Sequence, residues 1–211
     1  MPFISTRKTL NLHKYNIKLT EILSNWKIII PIIFTFSGII AGCYSGKGES
    51  SLFLRITDYF TTVIMSADKF TPTKSIGFFI VFPSVLILLI FFLGLSVFGS
   101  LISNTVPLCY GFFVGSVSFF MYKEYILKGL AYCIIMLYPY CVLTLLAIIL
   151  CCRECVNMSG FITASISKKA KFPNYSFVVY YKAFFRNYVF IIVAAVIKTM
   201  FDYLFGSIFT F

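Results

Sequence analysis

Five long apolar runs, separated by polar connections, form the basic pattern of this chain. The runs are continuous rather than alternating, so they favour transmembrane helices over the strands of a membrane barrel. A helix also satisfies its own backbone hydrogen bonds, as lipid requires. The pattern predicts an all-α fold, a polytopic helical membrane bundle of about five transmembrane helices. The expected spans cover residues 28–44, 77–99, 106–122, 129–152 and 188–209.

The connections divide the chain into a polar N-terminal segment and one membrane domain. Residues 1–27 are basic, and part of this segment is expected to form an interfacial amphipathic helix. Residues 28–211 make up the membrane domain. Its connection at 45–75 mixes apolar and polar residues at helical spacing, which predicts an element along the outer membrane face that can dock a partner. The connection at 153–187 is basic and is expected to be a cytoplasmic loop.

Glycines are concentrated where the second and third runs meet at a short uncharged turn. Glycine removes the side chain that would keep helix backbones apart, so this pattern predicts a central glycine-rich hairpin of two closely packed helices. A re-entrant pair is the alternative to two full crossings, because the third run is near the short end of what crosses a bilayer. The helix-packing candidates are Gly38, Gly42, Gly94, Gly99, Gly111 and Gly115.

Two prolines inside apolar runs are candidate helix kinks. Pro83 lies in the second run, where it either marks the helix start or kinks it while neighbouring helices satisfy the freed carbonyl. Pro139 lies in the middle of the fourth run. It is expected to divide that run into two half-helices, which form either an interrupted span or a broken helix that lines a cavity.

Composition and charge place the chain in a membrane and orient it. The content is 60% hydrophobic and only 12% charged, too little polar surface for a soluble globule. The net charge of +11 reflects basic residues flanking spans rather than a nucleic-acid site. Residues 1–27 and 153–187 together hold eleven Lys and Arg, against six in the opposite connections. The positive-inside rule therefore predicts a multi-pass protein of the bacterial cytoplasmic membrane, with a cytoplasmic N-terminus.

Groups able to do chemistry are sparse. His13 is the single histidine, so metalloprotease chemistry lacks its ligands, and no buried serine has a histidine to activate it. We expect no enzyme activity, no cofactor and no bound metal. The segment Cys151-Cys152-Arg153-Glu154-Cys155 leaves one alternative open, because Cys152 and Cys155 have the Cys-x-x-Cys spacing of a metal or redox pair. The other reading is that these cysteines simply pack.

Lys198 and Asp202 are the charged residues within the expected spans. They are four residues apart, so on a helix they share a face and can neutralise each other. An intramembrane ion pair of this kind is either functional, as in a proton relay, or structural, including contact with a partner subunit.

The central segment also carries a family resemblance. Leu-Gly-Leu-Ser-Val-Phe-Gly at residues 93–99, a proline-containing turn, and a helix with Gly111, Gly115 and Phe119-Phe120 resemble the stage II sporulation protein M family. The chain length, the basic N-terminus, the long outer segment, Pro139 and the basic loop before the last span resemble it as well. The resemblance covers most of the chain.

One position departs from that family's pattern. The family often has polar residues after the proline of the fourth span, in forms such as Pro-His-Gly-x-x-Glu. Here Pro139 is followed by Tyr140 and Cys141, and Thr144 occupies the position of the Glu. If those polar groups serve a function in the family, this chain has lost or replaced it.

The resemblance implies a non-enzymatic membrane scaffold. Family members recruit peptidoglycan hydrolases of the stage II sporulation D and P type during engulfment, which would place the chain in the mother-cell septal membrane. The expected partners are therefore membrane lipid and these hydrolases, with no nucleic acid. The alternative is a permease-like subunit of an ABC-type complex, with an ABC ATPase as the partner.

Overall fold

The computed structural model of the chain describes residues 5–48, 51–61, 72–166 and 176–205. These residues form helices and short connections, and the described part contains no strand. Five long helices are joined by shorter elements. The long helices are α1 (Ser5–Lys47), α3 (Pro72–Gly94), α5 (Thr105–Tyr132), α6 (Tyr138–Ile166) and α7 (Phe177–Phe205). The short elements are α2 (Ser51–Phe60), α4 (Gly99–Ile102) and a π-helical segment (Cys133–Leu137) between α5 and α6.

Three helical stretches among the described residues are long and apolar enough to cross a membrane: Trp26–Lys47, Gly99–Ile166 and Phe177–Phe205. A shorter apolar stretch covers Phe79–Gly94. The second stretch contains a reversal at Ile126, whose backbone is not helical. The predicted all-α membrane bundle is therefore confirmed.

Side-chain contacts fix the directions of the long helices. Cys152 on α6 reaches Ser103 beside α5, and Tyr138 reaches Ser118, so α5 and α6 are antiparallel. Tyr180 of α7 contacts Phe91 of α3, and Tyr188 contacts Ser84, so α3 and α7 are antiparallel as well. Consecutive long helices therefore run in opposite directions. One end of the bundle carries α4, and the other carries α2; these are named the α4 end and the α2 end.

Several expected boundaries differ from the observed ones. The first span continues a helix that already begins at Ser5, so residues 5–27 are not a separate interfacial element. The second span ends at Gly94 rather than residue 99, because a turn intervenes before α4. The end of the expected fifth span, residues 206–209, lies outside the described residues.

The expected loop at 153–187 is mostly helical. α6 continues to Ile166, and α7 already begins at Phe177. No proline interrupts the extension of α6, and its Thr163 and Ser165 hydroxyls bond back to carbonyls one turn earlier. Polar residues therefore end the apolar pattern of α6 without ending the helix.

The fourth expected span is not divided into two separate half-helices. The π segment Cys133–Leu137 precedes Pro139, and the chain stays helical through both. Proline has no N–H to donate and its ring conflicts with the carbonyl four residues earlier. The π segment, whose hydrogen bonds join residues five apart instead of four, accommodates that conflict without a break in the helix.

The glycines of α5 pack against α1, not against α3. A Cβ added to Gly111 or Gly115 of α5 would overlap the backbone of Thr35 or Ile39 in α1. A Cβ at Gly38 or Gly42 would overlap the α5 backbone in turn. The interface therefore joins two parallel helices that are not neighbours in sequence.

The expected close packing of α3 on α5 is wrong, although the two helices are joined by a short turn. Aromatic side chains separate them: Phe82 of α3 contacts Tyr110 and Phe113 of α5, with ring centroids 6.4 and 5.1 Å apart. Rings of this size hold helices apart, whereas glycines let backbones meet. α3 instead packs closely against α6 and α7.

α2 is a short amphipathic helix at the end of the α1–α5 pair. Its buried face carries Phe53, Thr57 and Phe60, and Phe53 meets the Phe119 ring of α5 edge-on at 6.0 Å. Leu52 and Leu54 flank that face, one on each side, and are exposed. The predicted element within 45–75 thus exists as a helix docked on α5; residues 62–71 of that connection lie outside the described part.

Candidate functional site

Side chains of α6 donate hydrogen bonds to the turn between α3 and α5, residues 95–104. The Cys152 thiol donates to the Ser103 carbonyl at 3.3 Å, and the Cys155 thiol donates to the Gly99 carbonyl at 3.6 Å. One turn further along, the Ser159 hydroxyl donates to the Val97 carbonyl at 3.0 Å. Positions 152, 155 and 159 share one helix face. The Cys-x-x-Cys pair therefore contacts the turn through two separate carbonyls.

α7 holds the end of α3 by a similar contact. The Tyr180 hydroxyl donates to the Phe91 carbonyl at 2.8 Å, and this carbonyl lies in the last turn of α3, where helical partners run out. Tyr180 also stacks on the Phe91 ring, with centroids 5.2 Å apart. The hydroxyl passes directly over Gly94, where any Cβ would overlap it. Gly94 thus serves helix packing against α7.

Gly99 serves the turn itself. A Cβ there would overlap the Leu93 carbonyl and approach Gly94. The turn can therefore fold back onto the end of α3 only with a glycine at this position.

A proline in α3 is matched by a tyrosine in α6. Pro83 has no N–H, so the carbonyl four residues earlier, that of Phe79, loses its helical donor. The Tyr140 hydroxyl donates to this carbonyl at 2.8 Å in a buried site. The two rings also meet edge-on, with the centroids of Phe79 and Tyr140 at 4.9 Å. A neighbouring helix thus satisfies the carbonyl that the proline frees, as membrane interiors require.

Lys198 and Asp202 form a buried ion pair on α7 near the α2 end. The Lys198 ammonium donates to Asp202, and the two side chains are 0% and 6% exposed. The Lys198 nitrogen also lies 4.9 Å from the centre of the Phe79 ring and 5.6 Å from that of Tyr132. Aromatic faces attract cations, most strongly where water is absent. The site therefore neutralises a lysine inside the bundle where α3, α7 and the end of α5 meet.

The position where the family's pattern has Glu is occupied by a buried threonine. Thr144 has no exposed surface, and the fully buried Tyr110 of α5 lies beside both Thr144 and Cys141. Cys141 in turn lies near Lys198. These residues form a row of buried polar groups from the ion pair towards the centre of the bundle.

Sequence reasoning found some of these residues and missed others. The sequence pointed to the ion pair, the six glycines, both prolines and the cysteine cluster. It did not point to the three hydroxyls that donate to carbonyls, those of Tyr140, Ser159 and Tyr180. Spacing on one face relates Ser159 to Cys152 and Cys155, which is a usable signal. No pattern in the sequence pairs Tyr140 with Phe79 or Tyr180 with Phe91.

The chemistry of this arrangement is hydrogen bonding across helices. Within the described residues, no three His, Cys, Asp or Glu side chains are grouped so that they could hold a metal ion. In each of these contacts a side-chain donor on one helix meets a backbone carbonyl on another element. Such contacts fix the relative position of helices in lipid.

Comparisons with protein-family models, with curated proteins and with solved structures found no match. The resemblance to the stage II sporulation protein M family therefore stays a prediction from the residues quoted above.

Proposed function

We propose that the chain is a non-enzymatic membrane scaffold. The observation that carries this proposal is the use of its polar side chains: Tyr140, Tyr180, Cys152, Cys155 and Ser159 all donate to backbone carbonyls of neighbouring elements. Side chains committed in this way stabilise one arrangement of helices. A rigid membrane body of that kind is suited to holding partners in place.

The partners in this proposal are peptidoglycan hydrolases of the stage II sporulation D and P type, at the septal membrane during engulfment. Their identity rests on the resemblance of residues 93–115 and of the chain's layout to the stage II sporulation protein M family. The positive-inside rule supports a topology in which the α2 end lies outside the cell, on the side of the wall. α2 offers these hydrolases the exposed side chains of Leu52 and Leu54, with Arg55 and Asp58 beside them.

Co-purification tests the proposal. Full-length tagged protein is recovered from sporulating cells in mild detergent, and bound wall hydrolases are identified. Replacing both Leu52 and Leu54 with Ser should abolish the recovery of hydrolases, because it removes the apolar part of the α2 surface. The matched control is Ile166→Ser at the α4 end, an exposed aliphatic side chain beyond the turn. Absence of hydrolases from the parent protein, or equal recovery with the α2 variant, would contradict the proposal.

A permease-like subunit is the second candidate. Its support is the extension of α6 and α7 at the α4 end, with Lys182 and Arg186 exposed on α7, a surface on which an ABC ATPase could dock. The middle of the bundle favours the scaffold instead, because Ile90, Val117 and Ile148 fill it with no exposed surface. Co-purification of an ATPase that is lost on replacing Lys182 and Arg186 with Ser would reverse this preference.

A further inference from the structure

The turn between α3 and α5 has a surface that differs from an ordinary aqueous loop. Its outward-facing side chains are apolar: Leu95, Val97, Phe98, Leu101 and Ile102 are all exposed. No charged residue occurs anywhere from residue 75 to residue 122. This surface continues the exposed apolar face of α3, which carries Val85, Leu88 and Phe92. The outside of the turn is therefore continuous with the surface that faces lipid.

Most backbone polar groups of the turn have hydrogen-bond partners inside the protein. Every N–H from Phe98 to Ser103 has a partner, which is another turn residue or, for Ser100, the Ser159 hydroxyl. The carbonyls from Ser96 to Ser100, and those of Ile102 and Ser103, have partners as well. Water normally supplies many partners in a loop, whereas irregular backbone at membrane depth is tolerated only where protein supplies them.

We propose that this turn is seated in lipid, with Phe98 and Leu101 among acyl chains, instead of projecting into water. α3 and α5 would then be a hairpin that ends inside one leaflet, at the boundary of acyl chains and headgroups. α6 passes the turn and continues from Ser159 to Ile166, roughly 10 Å further. Cys152, Cys155 and Ser159 of α6 replace water as hydrogen-bonding partners of the turn, and Tyr180 of α7 does so for the end of α3. The occupant of its apolar surface is lipid, because the turn carries no charge and makes most of its backbone hydrogen bonds within the protein, as a membrane interior requires.

Tryptophan depth measurements test this proposal. Trp26 is the chain's single tryptophan, so Trp26→Phe gives a silent background. Phe98→Trp and, separately, Leu101→Trp then report on the turn in full-length protein in nanodiscs. Two reference positions calibrate the signal: Leu88→Trp on the exposed face of α3, and Ser165→Trp at the exposed end of α6. Brominated acyl chains quench from the lipid side, and iodide quenches from water on both faces of the disc.

The turn tryptophans should behave like the α3 reference, with blue-shifted emission, strong quenching by brominated lipid and several-fold weaker quenching by iodide than at position 165. Quenching by iodide equal to that at position 165 would place the turn in water and overturn the proposal. Shielding from both quenchers would show that protein covers the turn, which overturns it as well. The second substitution keeps the test decisive if one variant does not accumulate.

Discussion

The two halves of the bundle are held together by different means. α1 and α5 meet through glycines at 38, 42, 111 and 115, where backbone touches backbone. α3, the turn that follows it, α6 and α7 meet through hydroxyls and thiols that donate to carbonyls of another element, and an ion pair within α7 is buried among them. The first interface depends on side chains that are absent, and the second on side chains that must find a specific partner. Mutations that add one carbon should therefore harm the first half, and mutations that remove one polar group should harm the second.

The largest effect is expected from breaking the buried ion pair. Lys198→Met leaves the Asp202 carboxylate inside the bundle without its cation, and removing one partner of a buried pair typically costs about 3–5 kcal/mol. The double variant Lys198→Met, Asp202→Leu should regain most of that stability, because no charge then stays buried. Unfolding in a denaturing detergent titration measures both. A double variant as unstable as the single one would show that the pair does more than neutralise itself.

Glycine to alanine substitutions should produce the next largest effect. Gly115→Ala puts a Cβ against the Ile39 backbone, which cannot move as a flexible side chain would, and overpacking of this kind costs about 1–3 kcal/mol. Gly160→Ala in α6 is the matched control, because no atom lies within 4 Å of its Cβ position. It should be neutral or stabilising by up to about 1 kcal/mol. Equal responses at both positions would remove glycine packing as the cause.

A smaller effect is expected where Tyr140 satisfies the carbonyl that Pro83 frees. Tyr140→Phe should destabilise the protein by about 1–2 kcal/mol, because the Phe79 carbonyl loses its donor. In a Pro83→Ala background the helix supplies its own N–H, so the same substitution should have less effect. The four variants form a double-mutant cycle measured by thermal unfolding in detergent. Strict additivity would mean that the hydroxyl and the proline are not coupled.

The smallest effect is expected at the cysteines that clamp the turn. Thiols are weak donors, so Cys152→Ala and Cys155→Ala should each cost less than about 1 kcal/mol. Thermal unfolding with and without a chelator measures this loss of stability. It also tests the alternative that Cys152 and Cys155 bind a metal ion. A large loss of stability that the chelator reproduces in the parent protein would restore a metal site.

The fold class could be predicted from the sequence because lipid leaves few solutions for long apolar runs. Gly38 and Gly42 could be singled out as packing residues for a similar reason, since their spacing alone puts them on one face. Their partner could not be predicted. α1 and α5 are far apart in sequence, while α3 and α5 are adjacent, and adjacency suggested the wrong pair.

The polar half was less predictable, for a physical reason. Lys198 and Asp202 are four residues apart, so their pairing follows from helix geometry. The contacts of Tyr140 with Phe79 and of Tyr180 with Phe91 depend on how three helices are placed relative to one another. The extent of α6 and α7 was also underestimated, because polarity was read as the end of a helix when it marks only the end of the apolar surface.

The proposed role as a scaffold is tested most directly by photo-crosslinking from α2 in living cells. A photoreactive amino acid at Leu54, which is exposed on α2, should form an adduct with a wall hydrolase in sporulating cells. The same amino acid at Ile166, which is exposed in the α4 end, should form none. Adducts with hydrolase at both positions, or at neither, would contradict the account.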